Sequence, residues 1–163
     1  MIRTLFLSLA AAAATILPLA GGGALAADYR VGDLLIETPW SRAPPPNAPV
    51  AGGYMTITNE GDRPDRLVGG EAPFAGRVEI HEMAMDGDVM RMREIEGGLA
   101  IGPGETVTLE PGGFHVMFMD LSGSLAEGET VPVTLEFERA GSVTVDLSVA
   151  GMGARAPAGE GAE

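Results

Sequence analysis

The sequence predicts an all-β protein built as a single Greek-key β-sandwich, and three observations indicate this fold. Short runs with period-two alternation of apolar and polar residues recur along the chain, as in half-buried strands. Clusters of glycine and proline that are typical of turns separate these runs at intervals of about 8–12 residues. No window carries the apolar stripe of an amphipathic helix, so helices are not expected to contribute to the core.

The first 26 residues have the pattern of a secretory signal peptide. Arg3 precedes an apolar run over 5–20, and Ala24-Leu25-Ala26 has the form of a signal-peptidase site. The apolar run is shorter than the roughly 18–20 residues that a membrane-spanning helix needs, which makes an uncleaved anchor the less favoured alternative. We therefore expect export to the periplasm, cleavage near Ala26 and no stable membrane insertion.

The rest of the chain is expected to form one domain and a tail. The 137 residues after the leader are enough for one domain with its own core. We place this β-sandwich domain at residues 27–150, and residues 151–163 are predicted to be a disordered acidic tail because they are small, acidic and rich in Gly, Ala and Pro. The strands are predicted at 34–37, 53–58, 77–83, 89–94, 106–109, 115–119, 131–138 and 143–150.

Composition excludes several classes of function. After removal of the leader, nine arginines face 23 acidic residues, a formal charge of −14, which disfavours nucleic-acid binding. The absence of cysteine and lysine removes thiolate nucleophiles, Schiff bases and the Cys ligands of zinc and blue-copper sites. No Gly-x-Ser-x-Gly motif or comparable setting for a nucleophile is present. We expect a monomer that is not an enzyme.

Methionine and histidine are concentrated in one part of the chain. Six of the eight methionines after the leader, and both histidines, lie between residues 81 and 119. Side chains two residues apart on a strand point to the same side, so each group of these residues shares a face. The groups are His81 with Met83, Met90 with Met92, and His115 with Met117 and Met119.

Thioether and imidazole side chains together favour a soft ion, above all Cu(I). Thioether sulfur is neutral and carries no proton, so it binds more weakly than thiolate and suits a carrier that must release its metal. Zinc would favour cysteines or more histidines. The pattern leaves a second interpretation open, in which the methionines fill gaps in a core and each histidine is a hydrogen-bonded structural residue. Glu79 and Glu82 could tune such a site electrostatically, but the favoured expectation is that they are solvated surface carboxylates.

These segments resemble a known family, the PCuAC-type periplasmic copper chaperones that serve the Cu A centre of cytochrome c oxidase. The resemblance covers about residues 30–150 and is carried by PWSRAPPP, GGYMTITNEGDRPDRLVGGEAP, VEIHEM, VMRMR, GPGETVTLEPGGFHVMFMDL and EGETVPVTLEFERAGSVTV. The family's metal motif is a His, ten residues, a Met, a gap of just over twenty residues and then His-x-Met. His81, Met92 and His115-Val116-Met117 match it, with ten residues in the first gap and 22 in the second.

The resemblance implies a cupredoxin-like or immunoglobulin-like sandwich that holds one Cu(I) ion. It also implies delivery of the copper to the Cu A domain of cytochrome c oxidase subunit II, together with a Sco-type protein. Two other functions stay open: a periplasmic copper buffer for tolerance that has no oxidase partner, and a structural β-sandwich module without a metal. The implied ligands are His81, Met92, His115 and Met117, with Met90 and Met83 as alternates.

Overall fold

The computed structural model describes residues 27–157, so the predicted signal peptide at 1–26 and the end of the predicted tail lie outside the described residues. Eleven strands and no helix form within this part of the chain, which therefore contains no helix that could span a membrane. The strands are β1 Tyr29–Val31, β2 Leu34–Arg42, β3 Val50–Asn59, β4 Asp65–Glu71, β5 Ala75–Asp86, β6 Val89–Glu94, β7 Leu99–Ile101, β8 Thr106–Leu109, β9 Phe114–Leu121, β10 Thr130–Phe137 and β11 Gly141–Ala150.

The strands follow one hydrogen-bonded path in the order β6-β5-β9-β8-β3-β2-β11-β10-β4-β7, with β1 paired to β2 and β9 also paired to β3. Most neighbours are antiparallel, whereas β11 with β2 and β8 with β9 are parallel. Buried apolar side chains from every strand except β1 and the edge strand β6 belong to one hydrophobic cluster. Because strands from both ends of the path contribute to the same core, the predicted all-β sandwich is confirmed.

Each of the eight predicted strands overlaps an observed one, and β1, β4 and β7 are additional. Strand β4 contains Gly69-Gly70, a pair that is typical of turns. A Cβ atom added at Gly70 would lie 2.3 Å from the carbonyl oxygen of Thr134 in β10. The glycine therefore allows a close approach between two strand backbones, which a sequence pattern does not distinguish from a turn.

Strand β2 is longer than predicted because a bulge carries it past Pro39. Its register to β3 shifts between Glu37 and Trp40, and Thr38 has a φ of 50°. The bulge places the Trp40 ring 4.6 Å from that of Tyr54, where both are buried in a small second cluster. Ala154 packs against this cluster, so the described part of the predicted tail contacts the sandwich.

The inward and outward faces of β5 and β9 follow the predicted alternation. Ile80, Val116 and Phe118 are buried in the core cluster. His115 and Met117 point to the opposite face, yet they are only 6% and 8% exposed. Strand β9 is thus covered on both faces, because His115 and Met117 line a cavity whose other walls include Ala43, Pro44 and Pro45.

A buried carboxylate joins two parts of the sandwich that lie far apart in sequence. Asp65, at the start of β4, accepts hydrogen bonds from the backbone N–H groups of Arg66 (2.7 Å), Arg139 (2.9 Å) and Ala140 (2.9 Å). The last two belong to the turn between β10 and β11. The side chain therefore satisfies three amides that would otherwise lose their partner on folding.

We expect the substitution Asp65→Ala to lower the free energy of unfolding by about 2–3 kcal/mol, because it leaves three partly buried amide donors without their acceptor. Urea unfolding followed by circular dichroism measures this change. Asp62→Ala is the matched control, since Asp62 is an exposed carboxylate in the connection between β3 and β4, and its loss is expected to change stability by less than about 0.5 kcal/mol. Equal effects of the two substitutions would contradict this role of Asp65.

Candidate metal site

The pairing of β5 with β9 brings the two histidines together. His81 and His115 are direct cross-strand partners, and their ring centroids lie 5.8 Å apart with the planes tilted by 52°. The neighbouring pair, Ile80 and Val116, points into the core. Burial of this apolar pair selects the register in which the histidines share the opposite face.

The pairing of β5 with β6 brings a methionine to the same place. Met83 and Met92 are cross-strand partners, and the Sδ atom of Met92 lies 3.1 Å from Nε2 of His115. Met83, Met92, His115 and Met117 all line one cavity of about 400 Å³. His81 lies beside this cavity through its contact with His115.

The remaining alternate, Met90, lies elsewhere. It pairs with Met85 near the turn between β5 and β6 and is 53% exposed. It is not among the residues that line the cavity. The geometry thus brings together His81, Met92, His115 and Met117, adds Met83 to the wall, and leaves Met90 outside.

The backbone of the β8–β9 loop sets the tautomer of His115. Nδ1 of His115 lies 3.1 Å from the carbonyl oxygen of Gly113, which can only accept a hydrogen bond. Nδ1 therefore carries the proton of the neutral ring, and Nε2 presents a lone pair to the Met92 sulfur. Two electron-pair donors then face each other at 3.1 Å, an arrangement that a shared cation would stabilise.

Burial keeps His115 in the form that can act as a ligand. The pKa of His115 is lowered from 6.5, chiefly because burial penalises the charged ring. The hydrogen bond to Gly113 opposes this shift, and the nearby His81 adds to it. At neutral pH the imidazole is therefore neutral, so no proton competes with a metal ion for Nε2.

A carboxylate holds His81 in a similar way. Nε2 of His81 lies 2.8 Å from Oε2 of Glu79, whose other oxygen accepts a 2.8 Å hydrogen bond from Arg77. Nδ1 of His81 is buried and has no hydrogen-bond partner among the described residues. The carboxylate orients the ring and leaves Nδ1 free, as in the carboxylate–histidine pairs that support metal ligands.

Three features of the site were not predicted. Glu79, expected to be solvated, has a side chain that is only 18% exposed and bonds to His81, so that expectation is wrong. Gly113 accepts hydrogen bonds both from His115 and from the Met83 N–H group (3.1 Å). Met152 reaches the cavity from beyond β11. Glu79 is two residues from His81 on the same face of β5, so strand alternation places the two side chains side by side. The Met83–Gly113 contact and the approach of Met152 join segments that are distant in sequence, and no local pattern signals them.

The lowered pKa of His115 predicts how the stability of the metal-free protein depends on pH. Because the pKa is lower in the folded state than the unfolded value of about 6.5, the unfolded chain binds more protons between these two values. Above about pH 6.5 His115 is neutral in both states and does not reduce the free energy of unfolding. As the pH falls from there towards the folded-state pKa of His115, the free energy of unfolding decreases. Urea unfolding between pH 7.5 and 5 measures it.

The control for this prediction is His115→Gln, which removes the titrating group. We expect a smaller loss of stability on acidification in the variant than in the wild type, whatever the difference between their stabilities at pH 7.5. If the free energy of unfolding depended on pH in the same way in the two proteins, the pKa of His115 would not be lowered by folding.

Two sequence comparisons identify a family and a protein that this chain is similar to. The profile of the family described as "Putative lipoprotein LpqE-like" matches residues 34–149. The curated protein "Putative lipoprotein Lxx21020" of Leifsonia xyli subsp. xyli (strain CTCB07) is 32% identical over 104 residues. The match covers 61% of this chain and 63% of that protein, so the chain spans less than two thirds of the length of this relative.

Solved structures agree with the sequence comparisons. The copper-bound PCuAC domain from PmoF2 is 36% identical, with a TM-score of 0.66 over 77% of this chain and 98% of that domain. The solution structure of CuI-DR1885 from Deinococcus radiodurans is 32% identical, with a TM-score of 0.59 over 78% of this chain and 82% of that one. The chain therefore belongs to the LpqE-like family of PCuAC domains.

Proposed function

We propose that this protein is an exported copper chaperone that binds one Cu(I) ion and passes it to a partner. The observation that carries the proposal is the 3.1 Å approach of His115 Nε2 to the Met92 sulfur. The Gly113 carbonyl directs the lone pair of Nε2 towards this sulfur, so two soft donors converge without a proton between them. The copper-bound relatives among PCuAC domains support copper as the cargo.

The proposed ligands are His81, Met92, His115 and Met117. The two imidazoles are the stronger donors, and the two thioethers favour Cu(I) over Cu(II) and over zinc. His81 would bind through Nδ1, which has no other partner among the described residues, and His115 through Nε2. The two thioethers and the His115 imidazole are neutral, so these three donors bind without losing a proton at neutral pH.

The unequal burial of the ligands suits transfer. His115 and Met117 are buried, whereas Met92 lies on the edge strand β6 and is 48% exposed. A ligand from a partner could replace the weak and accessible Met92 thioether before the other bonds break. Copper would then move by stepwise exchange of ligands and would not be released into solution.

The recipient we propose is the Cu A domain of cytochrome c oxidase subunit II, with a Sco-type thiol protein acting in the same assembly. The domain would be exported to the periplasm, with residues 1–26 removed near Ala26, and would work as a monomer. The leader pattern and the acidic composition after it support an exported protein that attracts cations. The sandwich would extend over 27–150, with residues 151–163 as a tail.

The binding proposal predicts one tight Cu(I) equivalent in an anaerobic titration against a chromogenic chelator. We expect His115→Ala to weaken binding by at least about 100-fold and Met92→Leu by about tenfold, because loss of a ligand costs at least as much as loss of the groups that orient it. Met119→Leu is the control, since Met119 is on the same face of β9 but does not line the cavity.

Wild-type affinity in the His115→Ala variant would contradict the site. If Met90→Leu weakened the first equivalent and Met92→Leu did not, the choice of methionine on β6 would be wrong. Circular dichroism of each variant separates loss of binding from loss of folding.

The delivery proposal predicts an assembly defect in cells. A strain that lacks this protein is expected to lose Cu A from its oxidase at limiting copper, and added copper is expected to restore it. The alternative function, a periplasmic copper buffer, predicts a different result: normal oxidase activity with greater sensitivity to excess copper. A complementing His115→Ala gene is the control, because it supplies the same fold without the proposed site.

A further inference from the structure

The β5–β6 hairpin carries a second pair of methionines beyond the candidate site. Its strands are joined by the two-residue turn Gly87-Asp88, in which Gly87 has a φ of 64° and Asp88 has no positive φ, as in a type II′ turn. Asp86 and Val89 form the pair that closes the turn, and Met85 and Met90 form the next pair. We call Met85 and Met90 the outer pair, and Met83 and Met92 the inner pair.

Both pairs lie on one face of the hairpin, with their side chains close together. Met83 donates its backbone N–H to Gly113 (3.1 Å) and not to β6. The inner pair is therefore a non-hydrogen-bonded pair of the β5–β6 ladder, and the outer pair, two residues along, is another. In such pairs the Cα atoms are only about 4.5 Å apart and the side chains are at their closest. Two thioethers in this position can reach one ion.

The opposite face of the hairpin is quite different. It carries the ion pairs Arg91–Asp86 (2.9 Å) and Arg93–Glu82 (2.6 Å), which link the two strands across the ladder. The thioethers of the outer pair have no comparable structural role, since Met85 is 62% and Met90 53% exposed. Because these two side chains are mostly exposed, their packing contributes little to the stability of the fold. Packing therefore does not explain why two neighbouring exposed positions on an edge hairpin are both methionine.

The two pairs and the buried site form a continuous series. The outer pair is next to the inner pair along both strands, and Met92 of the inner pair contacts His115. Exposure decreases along this series, from 62% at Met85 through 48% at Met92 to 6% at His115. The donors also change from thioethers alone to thioethers with imidazoles, so the affinity for a soft ion should rise from the turn to the buried site.

We propose that the outer pair is a second, weaker site for Cu(I), through which the ion enters and leaves the buried site. This inference rests on the proposed function, because it needs an inner site to which the ion can pass. Transfer consists of ligand exchange alone: a bond from copper to an outer thioether breaks as one to Met83 or Met92 forms. Copper stays Cu(I) and no proton moves, because no thioether is protonated.

The test uses Ag(I) as a redox-inert probe and the chain from residue 27 onward with ¹³C-labelled methionine methyl groups. We expect the first equivalent to shift the methyl signals of Met92 and Met117, and excess Ag(I) to shift those of Met85 and Met90. The double variant Met85→Leu/Met90→Leu should lose the second, weaker binding event. Its rate of Cu(I) transfer to a chelator should fall about fivefold, while its first equivalent binds within about twofold of wild type.

Val89→Ala is the matched control, because it removes exposed apolar surface from the same hairpin without removing sulfur. Its transfer rate should equal that of the wild type. Methyl signals of Met85 and Met90 that stay fixed in excess Ag(I), or an unchanged transfer rate in the double variant, would overturn this inference and leave the buried site intact. Shifts of the outer pair without any at Met92 and Met117 would instead overturn the proposed function, and with it the passage of copper between the two sites.

Discussion

The antiparallel register of β5 against β9 places His81 directly opposite His115, and the geometry of the whole site depends on this pairing. Burial of Ile80 and Val116 on the core side maintains the register, because a slip of β5 by one residue would turn His81 inward and Ile80 outward while β9 kept its faces. The β5–β6 ladder then adds Met92, and the alternation along β9 adds Met117. The core of the sandwich thus determines where four potential ligands meet.

The two histidines are prepared for binding in different ways. A backbone carbonyl fixes His115, and burial lowers its pKa, whereas a carboxylate in an ion pair with Arg77 fixes His81. In each ring a protein oxygen holds one nitrogen, and the other nitrogen, Nε2 of His115 or Nδ1 of His81, makes no hydrogen bond to an oxygen atom. Such preorganisation reduces the entropy that is lost on binding, so weak thioether donors would be sufficient for the other two positions. In the proposed function, weak thioethers are an advantage because the ion must leave again.

The sequence predicts the parts of this arrangement that depend on local pattern. Period-two alternation assigns the faces of β5, β6 and β9 correctly, and it separates Ile80, Val116 and Phe118 from the histidines. Contacts between distant segments are not predictable in this way. Gly70 looks like part of a turn although it lies in a strand, and the bulge at Thr38 extends β2 past a proline. The burial of His115 and Met117 depends on Ala43, Pro44 and Pro45, which line the same cavity and which no pattern in β9 reveals.

The most direct measurement of the central claim is X-ray absorption spectroscopy of the protein loaded with one equivalent of Cu(I) under anaerobic conditions. The proposed site predicts a mixed coordination shell of two nitrogen and two sulfur scatterers, with the outer-shell signals that are typical of imidazole. The His115→Ala variant should show fewer nitrogen scatterers. A shell of sulfur alone in the wild type, or one of only nitrogen and oxygen, would contradict the account.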